Sequence, residues 1–223
     1  MISDQLTIIN EYKTNHESLM TENSNLKKKC NDLETRLEDL EQYSRANSIE
    51  INGIPEDKNE DIIQIVKNVG HGLGVPVQEQ DIVACHRLGS PNKDGVRTRE
   101  IIVKFVRRLV KENLLQQRRV KRNFNTRDIG IMDRTTEAVY INESLSVARR
   151  KIFNELKIMK KDNLLQYVWV RNGKVLTRAH DGAKVVAVTT LDQVSALKLK
   201  NTGKQLSPSK QNQLIQITNP RSK

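Results

Sequence analysis

The sequence has 223 residues, of which 36% are hydrophobic, 29% charged and 4% aromatic, so it favours modest cores and disfavours one large enzyme body. Its 38 Lys and Arg against 27 Asp and Glu give a net charge of +11, which points to a polyanionic partner: nucleic acid first, an acidic membrane surface second. No apolar run could span a membrane and no signal peptide opens the chain, so we expect an intracellular protein of the cytoplasm or nucleus that is not secreted. Cys30 and Cys85 lack metal-ligand spacing, so we expect reduced thiols and no metal site, and no motif predicts a cofactor.

The charge is segregated along the chain. Residues 1–44 hold five basic and nine acidic side chains, whereas residues 97–127 hold eleven basic and two acidic ones. This basic tract is the strongest functional signal, because long cationic side chains that follow a phosphate backbone bind it without reading its sequence. A solubilising helix face is the plainer interpretation of the same residues.

A heptad pattern predicts that residues 1–44 form a parallel coiled coil. Leucines recur at the d positions, and three g-to-e′ pairs, Glu22–Lys27, Lys29–Glu34 and Arg36–Glu41, would attract each other between chains. The number of chains stays open: Asn23 at an a position is typical of dimers, whereas the pattern of residues 36–41 is associated with trimers, and we favour three chains. The residues assigned to oligomerisation are Leu19, Asn23, Leu26, Cys30, Leu33, Arg36, Leu37, Leu40 and Glu41.

Residues 45–143 are predicted to form an αβ domain with the order βαββαβ. That order belongs to the ferredoxin-like split fold used by RNA-recognition modules. The predicted elements are a strand at 49–54, a helix capped by Asn59, a strand at 82–88, a loop at Pro91–Gly95, a strand at 100–106, a helix at 109–117 and a strand at 139–142.

The stacking aromatics of such modules are missing from this domain. Aligned on the two RNA-recognition motifs, Glu50, Glu100 and Ile102 occupy the aromatic positions, and both carboxylates would face the nucleic acid and repel it. We therefore assign binding to basic residues that border and follow the second helix. They are Arg107, Arg108, Lys111, Arg118, Arg119, Lys121 and Arg122.

Residues 144–199 are predicted to form a small α+β domain. An apolar stripe indicates a helix at 144–161, which also carries Arg149, Arg150 and Lys157 as candidate nucleic-acid contacts. Asn172-Gly173 predicts a two-residue hairpin between strands 167–171 and 174–178. A strand at 184–188 and a helix at 190–197 follow, and the basic tail 200–223 is expected to be disordered.

The two faces of this hairpin have different predicted roles. Val168, Val170, Val175 and Thr177 should pack on the helix. The other face is a candidate stacking surface with phosphate contacts, formed by Tyr167, Trp169, Arg171, Lys174 and Arg178. An equal alternative is that Trp169 closes the core of this domain under the final helix.

A family resemblance rests on the segments Arg45–Glu56, Arg99–Phe105 and Ala148–Lys151, taken with the acidic coiled coil. The chain resembles the first open-reading-frame proteins of LINE-type retrotransposons, and its later half resembles the baculovirus FP (few-polyhedra) protein family and its insect relatives. The resemblance implies a trimeric chaperone that clamps single-stranded nucleic acid between its αβ and C-terminal domains, with Arg149 and Arg150 as contacts. Many insect relatives carry an N-terminal zinc finger, which is lacking here, so a truncated or domesticated copy and a mobile-element protein are both open alternatives.

Two other classes of function compete with nucleic-acid binding. An enzyme would need a catalytic constellation, yet the four histidines lack patterned partners, and Cys85 and His86 would point to opposite faces of a strand. The other is a structural virion or envelope protein of the FP type, in which the coiled coil matters and the basic surface binds no nucleic acid. The sequence does not separate RNA from DNA as the ligand.

Overall fold

The computed structural model describes residues 2–90 and 98–205. These residues form five α-helices and two antiparallel sheets, which confirms the α+β class. Contacts divide the chain into two compact units, one from Met1 to Tyr43 and one that begins at Ser44. The predicted loop Pro91–Gly95 lies outside the described residues. Within the described ranges, no helix has both the length and the apolar character needed to cross a membrane.

The first unit consists of one long helix, α1, Ile2–Ser44. The leucines predicted at d positions are exposed along it, from 53% for Leu26 to 67% for Leu40. Asn23 and Cys30 of the same predicted seam are exposed as well. The helix thus carries the predicted stripe without burying it, and the coiled coil stays a prediction.

The second unit begins with a four-stranded sheet and two helices. The elements are β1 Ser48–Asn52, α2 Ile62–Gly72, β2 Ile82–Arg87, β3 Ile101–Phe105, α3 Arg108–Val120 and β4 Tyr140–Glu143, with single 3₁₀ turns at Glu79–Asp81 and Thr126–Ile129. The strands lie in the order β2-β3-β1-β4, and every neighbouring pair is antiparallel.

Alternation along the strands gives this sheet one apolar face. Ile49 and Ile51 of β1 and Val103 and Phe105 of β3 are buried in one core with α2 and α3. Apolar residues at every second strand position bury one face and leave the other to polar side chains. On that second face lie Glu50 and its neighbours on β4, where the candidate site is found.

Two helices begin or end at residues other than those predicted. The N-cap of α2 is Asp61, whose carboxylate accepts a hydrogen bond from Gln64 N at 3.1 Å, and not Asn59. Helix α3 continues past the predicted Gln117 to Val120. Arg118 supports this extension, since its Nη1 donates to the carbonyl of Lys121 at 3.3 Å, just beyond the last turn.

The turn after β1 is held by a buried arginine. Arg87 Nη1 donates to the carbonyls of Ile54 at 2.8 Å and Arg99 at 2.7 Å, and its Nη2 donates to the carbonyl of Pro55 at 2.8 Å. Glu60 balances its charge, with Oε2 at 2.6 Å from Nη2. The turn itself starts at Gly53, which has a φ of +85° that only glycine adopts freely.

The C-terminal part contains α4 Val147–Lys161, β5 Tyr167–Arg171, β6 Lys174–Arg178, β7 Val186–Val188 and α5 Leu191–Gln205. The β5–β6 register matches the predicted hairpin, from Tyr167 opposite Arg178 to Arg171 opposite Lys174. Positive φ values of 52° at Asn172 and 70° at Gly173 are those of the expected two-residue turn.

A second core fills this part of the unit. Ile152, Leu156 and Met159 of α4 are buried with Val175, and Val168 and Val170 pack against them. The predicted inner face of the hairpin is therefore the one that meets α4.

Helix α5 runs to Gln205, so it enters the segment 200–223 that was predicted to be disordered. Asn201 explains the difference, because its Nδ2 donates to the carbonyl of Leu164 at 3.1 Å and ties the last turns to the domain. The remainder of the predicted tail lies outside the described residues.

Candidate functional site

The start of α4 covers Glu50 on the polar face of the four-stranded sheet. Glu50 is 4% exposed. Its two carboxylate oxygens accept hydrogen bonds from Arg150 Nη2 at 2.5 and 2.6 Å, and Oε1 also accepts from Ser144 Oγ at 2.9 Å. The expectation that Glu50 faces a ligand is wrong, because an arginine of the C-terminal part neutralises and covers it.

Arg150 is consequently held on the sheet by two carboxylates. Its Nη1 also lies 3.5 Å from Oε2 of Glu100, the residue just before β3. Burial acts to lower the pKa of Arg150, but the hydrogen bonds and negative charges of Glu50 and Glu100 outweigh it and raise the pKa above its ordinary value. The Arg150 side chain is 40% exposed, so it links the two parts of the unit and still borders the solvent beside them.

A second polar link fixes the hairpin turn. Glu143 at the end of β4 accepts hydrogen bonds from the backbone N–H groups of Asn172 at 2.9 Å and Gly173 at 2.7 Å. Lys111 Nζ lies 3.5 Å from Glu143 Oε2, and both side chains are only 6% exposed. Because a buried carboxylate needs donors and a compensating charge, this arrangement satisfies it almost completely.

The prediction that Lys111 contacts nucleic acid is therefore wrong. Besides pairing with Glu143, its ammonium donates to the carbonyl of Ala46 at 2.8 Å. The sequence placed it on the basic helix face, yet its position in α3 turns it inward under β4. A lysine so buried serves the fold and offers no charge to a ligand.

Arg149 contributes to the same link from the other side. Its Nη1 donates to the carbonyl of Gly173 at 2.8 Å, and its backbone N–H donates to Ser146 Oγ at 3.2 Å, the N-cap of α4. The two adjacent arginines thus have different attachments, Arg149 to the hairpin turn and Arg150 to the sheet.

A groove of about 690 Å³ opens between the sheet and the C-terminal part. Four cationic side chains line it, of which Arg150 is bound to carboxylates as described. Three aromatic side chains and three asparagines accompany them. These lining residues are Arg118, Arg119, Arg150, Lys157, Tyr140, Phe153, Trp169, Asn52, Asn142 and Asn154.

Two of the four groove cations lie over aromatic rings. The guanidinium of Arg118 lies 5.8 Å from the ring centroid of Tyr140, and the ammonium of Lys157 lies 5.6 Å from that of Phe153. Such cation–π contacts hold a cation in place without neutralising it, so it can still attract an anion. Arg119 and Lys157 have no ion pair among the described residues.

A smaller cavity of about 270 Å³ shares Arg119 with the groove and reaches the hairpin. Arg171 and Asn172 line its far side. Arg171 and Lys174, both predicted contacts, are exposed at the hairpin end. The cationic surface therefore extends from α3 to the tip of β5 and β6.

The residues of the predicted stacking face of the hairpin lie in two different environments. Trp169 is half-buried, lines the groove, and is absent from the described core of the C-terminal part. Tyr167, by contrast, donates its hydroxyl to Asp181 Oδ1 at 2.9 Å, and Arg178 stacks on its ring at 4.5 Å. Tyr167 and Arg178 thus contact each other and both bind Asp181, whereas Trp169 lines the groove.

The remaining predicted cations lie outside the groove. Arg107 pairs with Asp81 at 3.1 Å while its side chain stays 71% exposed. Arg108 is exposed, and its Nε lies 3.5 Å from the Asn47 side-chain oxygen. Lys121 has structural partners instead: it donates to the carbonyl of Gly72 at 2.9 Å and pairs with Asp128 at 2.7 Å. Arg122 is exposed and has no ion pair among the described residues.

Comparison with known families finds a match in the C-terminal part. Residues 146–198 match the family model of baculovirus FP protein domain 2. The match begins at Ser146, the N-cap of α4, and includes the hairpin, β7 and the first half of α5. It supports the FP part of the resemblance seen in the sequence. No curated protein matches the chain.

The FP-matched segment supplies one wall of the groove and the αβ part supplies the other. Arg150, Lys157 and Trp169 come from the matched segment. Arg118 and Arg119 come from the end of α3, outside it. The groove therefore depends on both halves of the second unit.

Sequence reasoning missed Tyr140 and Phe153. Tyr140 begins β4 and is 53% exposed, and Phe153 precedes the lysine that stacks on it by one helical turn. Tyr140 could have been identified from the sequence, because it is an aromatic residue at the start of a predicted strand with alternating apolar positions. Asn52 and Asn142 could not be predicted as site residues, since only the pairing of β1 with β4 brings them together.

Proposed function

We propose that this protein is an oligomer that binds single-stranded nucleic acid without sequence preference, with the strand lying in the groove. The observation that carries the proposal is the groove itself, where Arg118, Arg119 and Lys157 are held beside Trp169. Cations for phosphates and aromatic rings for bases are the two elements of sequence-independent single-strand binding. RNA and DNA both satisfy this chemistry.

The proposed architecture is that of the LINE-type proteins. The strand order β2-β3-β1-β4 with antiparallel neighbours supports a ferredoxin-like, RNA-recognition-like domain for residues 45–143. The exposed leucine stripe of α1 supports a parallel coiled coil, with a trimer favoured over a dimer. Several chains would place several grooves on one strand, which raises the apparent affinity through effective concentration.

The function we propose includes neither catalysis nor a cofactor or metal. Within the described residues, no three His, Cys, Asp or Glu side chains are grouped as metal ligands would be. We propose that the protein acts inside the cell, in the cytoplasm or the nucleus, where nucleic acid is available.

The proposal is tested by the salt dependence of oligo(dT) binding. Five of the predicted cations are exposed and have neither an ion pair nor a side-chain hydrogen bond among the described residues: Arg119, Arg122, Lys157, Arg171 and Lys174. At about −0.7 per phosphate contact, five contacts give a log–log slope of affinity against salt of about −3.5.

A double variant assigns that slope to the groove. Replacing both Arg119 and Lys157 with Ala should make the slope shallower by about 1.4. Replacing Lys198, an exposed lysine of α5 that does not line the groove, with Ala is the matched control and should change the slope little. A wild-type slope near zero would contradict nucleic-acid binding.

The second candidate is a structural oligomer of the baculovirus FP type that binds no nucleic acid. The match of residues 146–198 to an FP domain supports it. A wild-type protein that oligomerises but gives no salt-dependent oligonucleotide binding would favour this candidate.

Light scattering tests the oligomer common to both candidates. Deleting residues 1–44 should yield a monomer, because the predicted seam lies in that segment. A monomeric intact chain at micromolar concentration would exclude the coiled coil, and a dimer would mean that Asn23 decides the number of chains.

A further inference from the structure

The usual base positions of an RNA-recognition sheet are closed in this protein. Glu50 occupies the position of the β1 aromatic and is covered by Arg150, which also reaches Glu100 near the β3 positions. A base stacked there would have to displace a bidentate, charge-assisted ion pair, which is among the stronger polar contacts in proteins. A base that enters the groove must therefore rest elsewhere.

The uncovered part of the same sheet face lies at β4. Tyr140 is paired with Asn52 and Asn142 with Glu50 across the β1–β4 ladder, while Ile141 between them points into the core. The alternation puts Tyr140, Asn52 and Asn142 on the groove side, and all three line the groove. Directly opposite residues of antiparallel strands have Cβ atoms about 5 Å apart, so the ring and the Asn52 amide are neighbours.

Tyr140 is positioned before any ligand arrives. The Arg118 guanidinium that lies over its ring is fixed by hydrogen bonds to the carbonyls of Val139 at 3.3 Å and Lys121 at 3.3 Å. The tyrosine nevertheless remains 53% exposed. An aromatic ring held in place yet open to solvent is what a stacking contact needs, since little conformational entropy is lost on binding.

The polar groups beside the ring have no partners in the protein. Within the described part of the chain, the side-chain amides of Asn52 and Asn142 make no hydrogen bond, and neither does the Tyr140 hydroxyl. An amide offers both a donor and an acceptor, which complements the edge of any unpaired base. The sheet face beside α4 thus combines one stacking surface with hydrogen-bonding groups at its edge.

We propose that Tyr140 stacks one unpaired base of the bound strand and that Asn52 and Asn142 contact the edge of that base. This inference rests on the proposed function and specifies where in the groove a base is held. The site requires an unstacked, unpaired base, so it selects single strands over duplexes. The phosphates beside it would lie near Arg118 and Arg119, which line the same groove.

The test compares oligo(dT) with an abasic strand of equal length, which has the same phosphates but no bases. With the full-length wild type, the abasic strand should bind about 5- to 150-fold more weakly, the range expected for one stacked base. Tyr140→Ala should weaken oligo(dT) by about 5- to 150-fold, the contribution of one stacked base, and leave abasic binding unchanged. Tyr140→Phe keeps the ring and should retain most of the difference.

The amides are tested with the same pair of ligands. Asn52→Ala and Asn142→Ala should each weaken oligo(dT) by about 2- to 10-fold, the range for one hydrogen bond, without affecting the abasic strand. Val120→Ala, which alters an exposed side chain of α3 outside the groove, is the control and should leave both affinities unchanged. Melting temperatures show that each variant is folded.

The binding results distinguish a failure of the base site from a failure of the proposed function. Salt-dependent binding with equal affinity for both strands would overturn the base site and leave nucleic-acid binding intact. A difference that survives Tyr140→Ala and is removed by Trp169→Ala would also overturn it, and would assign stacking to the hairpin. Binding of neither strand would overturn both proposals.

Discussion

Replacing Glu143 with Gln should lower the melting temperature of the protein by about 6–12 °C. The carboxylate receives the N–H groups of Asn172 and Gly173 and the ammonium of Lys111. The variant keeps the shape of the side chain and one carbonyl acceptor but loses the negative charge. Lys111 would remain as a buried ammonium whose other hydrogen-bond acceptor among the described residues is the carbonyl of Ala46, at 2.8 Å.

The size of the expected loss of stability follows from leaving the Lys111 ammonium without its carboxylate. Removing one member of a buried ion pair costs about 3–5 kcal/mol, and a hydrogen bond to a charged group contributes about 1.5–3 kcal/mol. These terms overlap because they share one carboxylate, and Gln restores part of them, so we expect about 3 kcal/mol. A domain of roughly 150–250 residues loses about 2–4 °C of melting temperature per kcal/mol, which gives the stated range.

Thermal unfolding followed by far-UV circular dichroism measures the effect. Glu112→Gln is the matched control, because Glu112 is an exposed residue of the same helix as Lys111 and has no ion pair among the described residues. Lys111→Met should also destabilise, and the double variant should cost less than the sum of the two, since both changes remove one interaction. A melting temperature for Glu143→Gln equal to that of Glu112→Gln would refute the argument.

Two further predictions concern the αβ part. Gly53→Ala should destabilise by about 1–3 kcal/mol in urea unfolding, because a Cβ at φ +85° would overlap the carbonyl of Ala138; an unchanged unfolding midpoint would contradict this. Hydrogen bonds from the backbone of Gln78 and from Arg107 lower the pKa of Asp81 below its ordinary value of 3.8, so its carboxylate stabilises the fold above that pH and loses this contribution as the pH falls. Asp81→Asn should thus lower stability by about 1–2 kcal/mol at neutral pH, and the difference from wild type should shrink below about pH 4; a difference independent of pH would argue against it.

Local chemistry made much of the fold predictable. The Asn172-Gly173 pair determines a hairpin register without help from the rest of the chain, because both residues accept the positive φ that a type I′ turn requires. Alternating isoleucines around Ile49 identify β1 for a similar reason. The sequence pattern predicted the wrong end of α5, because that end depends on a single tertiary contact, the hydrogen bond from Asn201.

The candidate site was harder to predict because it depends on what covers each side chain. Alternation placed Glu50 on the correct face of the sheet, but no local pattern shows that Arg150, a hundred residues later, lies on top of it. Lys111 and Arg119 belong to one basic helix, yet one is buried and the other is exposed. Charge counting therefore identified the tract that places Arg118 and Arg119 in the groove, but it also included Lys111, which is buried in the fold.

The short segment from Glu143 to Arg150 carries both links between the two cores of the second unit. Glu143 and Arg149 hold the hairpin turn, and Ser144 and Arg150 hold Glu50. With buried charges shared across the junction, neither core can unfold while the other keeps its polar partners satisfied. The unit should then melt in a single cooperative transition, and the two walls of the groove are already held together before any ligand binds.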